Sequence, residues 1–573
     1  MQRKHRILLY ILLGFLGVVI VVAVFINRII LSEMEKAFSE SAFSNTSTVH
    51  IGGVSYNPFR NILSVSDIDI LPNDSLSATR LHIEEITFRN GLLRMLLGKK
   101  ITPELEITIS QPSLRWSLDK PSAISFSPIE NNGFHLLLRK IMIDDASVII
   151  QDSTGGHTKG FLHFSLQGDS LFATDSGTSF QLKHLVVSAP NPVVQIDSET
   201  YPVEIEQAFL QISDSRFVVS PTETYYHFEK MTAQIRHLKT DTGSNYSIAL
   251  DSAYLSDNHL FLKGFEVLPS KSDKAFSKSL QYADEQYTIS LDSVVTNTFR
   301  IDSLLTRQCV EIDTLCIYQL SARIYRDNSK RLNPKIIRLF PAQKLQQIPI
   351  PFVIRHYLSK NTNIVYCEKK HSKKGRVRLR LKNTVAKNLT NTDAAGEFSA
   401  FITGSIEQKI PFDAHFTSSY SKPYATYDIT TGHFYTQIIG RSMELFSPVS
   451  FADSGEIDSI HFTGFANEKY TKGTLLFLYH NLHLKTKSQP FLIKQVLSFL
   501  SKKTMLSSNP KEKGSPIRIT NVLQIRDKHR SIVNLLVKAM TKGMFETTKT
   551  KSVKFIEKQM NVFHQKRAVL TEQ

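Results

Sequence analysis

Residues able to do chemistry are plentiful in this chain but are not spaced for it. Its nineteen histidines are scattered without ligand spacing, and no H-E-x-x-H, G-x-S-x-G, Walker loop or G-x-G-x-x-G occurs. Carboxylates stand side by side at Glu84-Glu85 and Asp144-Asp145, yet neighbours on a strand point to opposite faces and cannot share a substrate. His371, in EKKHSKKGR, reads as a turn residue and His480, in LYHNLHL, as a strand residue. Cys309, Cys316 and Cys367 form no C-x-x-C; they read as buried or half-buried thiols, with a Cys309–Cys316 disulfide left open. The expectation is a non-enzyme with no catalytic residue, no metal and no cofactor. A carboxylate pair assembled from distant residues is the enzymatic arrangement that the sequence leaves open.

The elements carry more information. Residues 7–26 are an unbroken apolar run, about the 30 Å of a bilayer core at 1.5 Å per residue. Arg3, Lys4 and Arg6 precede it, so the tip 1–6 is expected in the cytoplasm, 7–31 as an uncleaved single-pass anchor, 32–48 as a connecting helix and the rest as exported. From about Val49 to Lys485 the signal is period-two alternation broken by Gly, Pro, Asn, Asp and Ser, as in LEITI at Leu105 and GTLLFLYHNLHL at Gly473. Helical patterns are few: Ile29–Phe38, Gly91–Leu97 and Pro334–Ile348. Strands in succession without crossover helices predict antiparallel neighbours.

A cassette of these strands recurs. NILSVSDIDILP at Asn61 returns as NHLFLKGFEVLP at Asn258, and ITISQPSLRW at Ile107 returns as LCIYQLSARI at Leu315, with Gln111, Ser113 and Arg115 over Gln319, Ser321 and Arg323. At Asp67 the apolar alternation changes phase, which poses a β-bulge as one explanation. A chain of 573 residues built by repetition favours an elongated sheet over one core. Its apolar face either meets a second sheet, as in a string of sandwiches, or lines a half-covered trough. A trough would hold acyl chains: each methylene exposed to water costs about 0.8 kcal/mol, so a two-chain lipid crossing water unshielded faces a barrier on the order of 20 kcal/mol.

The layout resembles the AsmA-like family, relatives of TamB, in a Bacteroidetes-type branch. The likeness is carried by the anchor, NILSVSDIDILP, TRLHIEEITFRNGLLRMLLGKK and QPSLRW. Further on it is carried by IPIPFVIRHYLSKNTNIVYCEKKHSKKGRVRLRLKNTVAKNLTN from Ile348, FSPVSFADSGEIDSIHFTGF and KGTLLFLYHNLHL. The resemblance implies a mainly β, taco-like groove anchored in the inner membrane of a Gram-negative bacterium. It also implies lipid transfer or outer-envelope biogenesis in the periplasm, with phospholipid or another envelope lipid as cargo, inner and outer membranes as surfaces, and envelope proteins as partners. The alternative is a non-enzymatic scaffold or chaperone for outer-membrane proteins. The expected groove lining is Leu63, Val65, Ile107, Ile109, Val148, Ile150, Leu260, Leu262, Ile289, Leu291, Leu315 and Ile317. The expected division is a repeated groove over 49–330, a basic helix-strand insert over 331–382, a second groove region over 383–485 and a basic, partly helical tail over 486–573.

Charge is uneven. The tail from Lys485 holds nineteen Lys and Arg against five acids, about +14 of the overall +17. Within it Ile532, Leu535, Leu536 and Ala539 share one helical face, with Lys528, Arg530, Lys538 and Lys542 around it. Such a helix suits either a cap on the sheet or an anionic membrane surface. Nucleic acid is excluded by export and by the lack of aromatic interleaving. Asp, then Ser or Thr, then an apolar residue or Thr, recurs at Ser75, Ser153, Ser170, Ser252, Ser293, Ser303, Thr314 and Ser459. It resembles the O-glycosylation acceptor of exported Bacteroidetes proteins and equally suits turns and strand edges.

Overall fold

Period-two alternation becomes strand almost throughout. The computed structural model is mainly β, with mixed sheets and few helices. It describes residues 47–57, 60–72, 80–90, 105–117, 135–151, 158–174, 178–194, 203–219, 224–241, 243, 245–256, 258–370, 373–393, 395–438, 449–451, 455–482, 484–486 and 505–550. The expected anchor 7–31, most of the connecting helix and Gly91–Leu97 lie outside them. The chain divides into two compact units, Met1–Asp257 and Asn258–Gln573, so the second begins where the cassette begins again.

Unit 1 runs β1 (Ser47–Asn57), β2 (Ile62–Pro72), β3 (Arg80–Arg89), β4 (Leu105–Ser110), β5 (Ser113–Ser117), β6 (His135–Gln151), β7 (Thr158–Thr174), β8 (Thr178–Pro190), β9 (Val193–Val194), β10 (Val203–Val219), β11 (Thr224–Asp241) and β12 (Tyr246–Ser256). β4 and β5 follow one another along a single line. Both pair antiparallel with β3 on one side and parallel with β6 on the other.

Unit 2 opens with the same plan. It runs β13 (His259–Pro269), α1 (Asp273–Ser279), β14 (Glu285–Phe299), α2 (Ile301–Arg307), β15 (Val310–Tyr318), β16 (Ser321–Asp327), α3 (Pro341–Leu345), β17 (Phe352–Lys370) and β18 (Lys373–Thr390). Here β15 and β16 pair with β14 and run parallel to β17. An antiparallel succession follows through β19 (Glu397–Ile406), β20 (Ile410–Ser419), β21 (Tyr424–Thr431), β22 (Phe434–Tyr435), β24 (Glu456–Asn467), β25 (Tyr470–His480) and β27 (Ile519–Ile525). β23 (Val449–Phe451) and β26 (Leu484–Thr486) pair with each other, and α4 (Ile532–Thr548) lies on β25 and β27.

The repeat extends to the backbone. Asn61, Asp67, Asn90, Gln111 and Asp145 are left-handed, and so are Asn258, Gly264, Thr298, Gln319 and Asn361 at the corresponding register positions. Gly, Asn and Asp adopt this region at least cost, and they hold seven of the ten positions. At Asp67 (φ 52°) no residue is inserted, because Ile51↔Ile68 and Gly53↔Ser66 keep one register on either side of it. The change of phase is thus a left-handed kink within one continuous strand and not a bulge. Its effect is to keep Leu63 and Val65 before the kink and Ile68 and Ile70 after it in one apolar cluster.

Three expectations are corrected. The sheets are mixed, since β5 and β6 pair parallel, as do β16 and β17, so each connection returns the chain to its starting end; the described one, between β16 and β17, holds only the five-residue α3 as helix. The stretch 331–382 is no insert: β17 joins β15 and β16 to β18, and residue 382 falls inside β18. Of Pro334–Ile348 only the five residues of α3 are helical, because the residue before Pro341 is held extended (Phe340 ψ 158°) and Asn333 Oδ1 closes a turn by accepting from Lys335 N.

Candidate functional site

In unit 1 the cross-strand register lines apolar side chains up into rows. Val54, Val65, Ile86, Ile109, Ile143, Leu166, Val187, Leu210, Ala233 and Leu255 are successive partners, one from each of ten strands. A neighbouring row runs Tyr56, Leu63, Phe88, Ile107, Ile141. Direct partners share a face, so Leu63, Val65, Ile107 and Ile109 lie together, and Val148 joins them through Ile70, Leu81 and Leu114. Ile150 is in β6, at the register position of Gly160. Leu63 and Val65, at 1% exposed, belong to a packed core together with Leu105 and Leu138. They are therefore not open lining. Ile107, Ile109, Ile143, Val148, Leu166 and Val187 are half-buried.

In unit 2 Leu262, Val294 and Ile317 form the row equivalent to Val65, and Leu315 meets Tyr357 beside it. Leu291 pairs with Phe265, and Ile289 with Val267 and Ala322. Leu260 is half-buried and its N–H donates to Thr296 Oγ1 at 2.9 Å. The row then turns polar at Ser359 and Thr384. Ser359 is 2% exposed, and its hydroxyl lies 2.5 Å from that of Thr362.

Beyond this point the face is closed. α4 packs Ile532, Leu535, Leu536, Ala539 and Met544 against Phe462, Leu475, Phe477, Tyr479 and Val522 in the largest core cluster among the described residues. The apolar face read from the sequence is thus buried against protein. Of the four basic residues around it, Lys528 and Lys538 are exposed, Arg530 pairs with Asp527 at 3.3 Å and Lys542 Nζ donates to the Leu523 carbonyl at 2.8 Å. β27 nonetheless keeps Ile519, Leu523 and Ile525 at least half exposed.

Electrostatics concentrate on the other face of unit 2. A cavity of about 870 Å³ is lined by Lys274, Arg323, Lys369, Lys374, Arg376 and Arg378 with Asp273, Glu368 and Glu407. Arg323 binds Asp273 in two contacts at 2.9 and 2.6 Å. Beside it burial opposes the charge of Asp327, but donors from Ser277, Lys369 and Ser329 outweigh it and hold the carboxyl far below the usual carboxylate range. Burial pushes the Cys309 thiol up, which leaves it unreactive; all three cysteines are free.

Among the Asp-Ser/Thr-x positions, Ser75 and Ser153 lie outside the described residues. Ser170, Ser252, Ser293, Thr314 and Ser459 are within strands, and the Ser293 and Thr314 hydroxyls donate to their own preceding aspartates at 3.1 Å. Ser303, in α2, is buried at 4% exposed and is not open to a transferase in the folded chain. Sequence reasoning missed one gathering altogether: His433, Glu456 and Asp458 present ligand atoms all within 4.8 Å of one another. No protein-family model and no curated protein matches this chain.

Proposed function

We propose that this chain is a membrane-anchored groove protein of the AsmA-like kind that carries envelope lipid. Acyl chains lie along the apolar face of the sheet while headgroups stay in water. The observation that supports it is the ten-residue apolar row of unit 1, whose members other than Val65 are half-buried. At about 4.8 Å per strand it extends some 43 Å, and each methylene laid on it instead of in water gains about 0.8 kcal/mol. Val54, Ile86 and Ile109 pack against the buried cluster around Leu63 and Val65, and the row continues past it through Ile143, Leu166, Val187, Leu210, Ala233 and Leu255.

The reading puts the anchor 7–31 in the inner membrane and the two units in the periplasm. It assigns no chemical step to any residue. Lipid analysis of the full chain, purified in a detergent that forms no acyl-lipid background, tests it. Phospholipid or another acyl lipid bound in about stoichiometric amount is expected. A chain that carries no lipid but retains an unfolded β-barrel precursor would replace transport by chaperoning.

A further inference from the structure

We propose that unit 2 carries a divalent transition-metal site built from His433, Glu456, Asp458 and His480, with Zn²⁺ the ion its donors fit best. The four residues are far apart in sequence and meet through the strand pairing. His433 directly precedes β22, whose Tyr435 is the register partner of Glu456. Glu456 is also the partner of His480 at the end of β25. Between Ile457 and Ser459 the register of β24 against β25 slips by one residue, and Asp458 is the residue it leaves over. Ile457, fully buried, anchors the strand between the two carboxylates.

Two short contacts hold the cluster: His433 Nε2 to Glu456 Oε1 at 2.6 Å, and His480 Nδ1 to Asp458 Oδ2 at 2.7 Å. The donor atoms of His433, Glu456 and Asp458 lie within 4.8 Å of one another, and His480 stands against the third. Two imidazoles and two carboxylates are a nitrogen-and-oxygen set with net charge −2 when both histidines are neutral, which a divalent ion balances. Tetrahedral Zn²⁺ at about 2.0–2.1 Å from each donor separates its ligands by roughly 3.3 Å. The two hydrogen-bonded pairs would open by about 0.6 Å, the wider pairs among His433, Glu456 and Asp458 would close by up to about 1.5 Å, and the His480 ring would swing in from its contact with Asp458, all of them side-chain movements. With side chains 36–51% exposed, an ion has a path in. Bound there, it would tie the two-residue β22 to β24 and β25.

His461 and Asp428 supply the internal control. They form an equally exposed pair at 2.9 Å and belong to no such three-residue group among the described residues. The test is titration of the full chain with Zn²⁺ by calorimetry, and with Co²⁺ by visible absorption. One ion per chain and a tetrahedral Co²⁺ spectrum are expected, with both lost at least tenfold in affinity in His433→Ala and in Asp458→Asn but kept in His461→Ala. Metal-free melting of each variant is measured alongside, and Glu456→Gln, which keeps shape, stands in for any variant that melts early. Absence of saturable binding, or equal weakening by His433→Ala and His461→Ala, would overturn the proposal.

Discussion

Gly543 decides whether α4 is a cap on the sheet. A Cβ at this position would stand 2.6 Å from Val522 Cγ2 and 2.7 Å from Leu475 Cδ2, against an optimal carbon–carbon separation of about 3.5–4.0 Å. Val522 and Leu475 are 3% and 0% exposed, so neither has room to yield. Gly543→Ala must therefore lift the helix by about 1 Å or strain the core, at about 1–3 kcal/mol. Alanine also favours a helix over glycine by about 1 kcal/mol. The net expectation is a loss of up to about 2 kcal/mol, and Gly543→Leu should lose more. If α4 instead lay free of the sheet, on a membrane or in water, only the propensity term would act and Gly543→Ala would stabilise. The single tryptophan, Trp116, is in unit 1 and does not report on this site. Near-UV circular dichroism of the Tyr427 and Tyr479 core during urea unfolding does. A midpoint raised by Gly543→Ala would refute the packing of α4 described above.

Ile143 and Met142 are neighbours on β6 that point to opposite faces. If acyl chains lie on this face as proposed, Ile143→Asp would remove contact with two or three lipid methylenes, about 2 kcal/mol, and slow lipid transfer between vesicles roughly 30-fold, while Met142→Asp would leave the rate near that of the parent. At the left-handed Asp67, Asp67→Gly should hold or raise stability by up to about 1 kcal/mol, and Asp67→Val should lower it by about 1–2 kcal/mol in urea unfolding. Asp327 has its folded-state pKa depressed, so its contribution is fully present above the unfolded value of about 4 and is lost as pH falls through the folded value. Asp327→Asn should accordingly cost about 1–3 kcal/mol at pH 7, with the gap to the parent narrowing as unfolding is repeated at successively lower pH below 4.

Much of the fold could be read from the chain because alternation and turn residues are local signals. The recurrence of NILSVSDIDILP coincides with the start of unit 2, although the expected division ran one groove region over 49–330, and the apolar phase change located the kink at Asp67. Ile532, Leu535, Leu536 and Ala539, read as one helical face, are all buried beneath α4. Parallel pairing was illegible because the run before β6 carries no helical periodicity and the pattern at Pro334–Ile348 was read as part of a separate basic insert instead of as a crossover. The basic block 331–382 misled for a physical reason: in RVRLRLK, arginines 376, 378 and 380 alternate with Val377, Leu379 and Leu381, so the charge marks one face of β18 and not a separate element. The rows that make the candidate face depend on register, which fixes partners such as Ile143 and Leu166 from 23 residues apart. His433, Glu456, Asp458 and His480 needed two strand pairings to meet, β22 with β24 and β24 with β25, and no spacing rule covers that.

The most direct test of lipid carriage is to load the full chain, reconstituted with lipid vesicles, with a phospholipid bearing a photoreactive group midway along one acyl chain, and to map the adducts by peptide mass spectrometry. Adducts on the half-buried row residues Ile109, Ile143, Leu166 and Val187, with the opposite-face residues Met142 and Gln167 unlabelled, are the predicted result. Labelling confined to the apolar run at residues 7–26, or spread equally over both faces of β6 and β7, would contradict a groove that holds acyl chains.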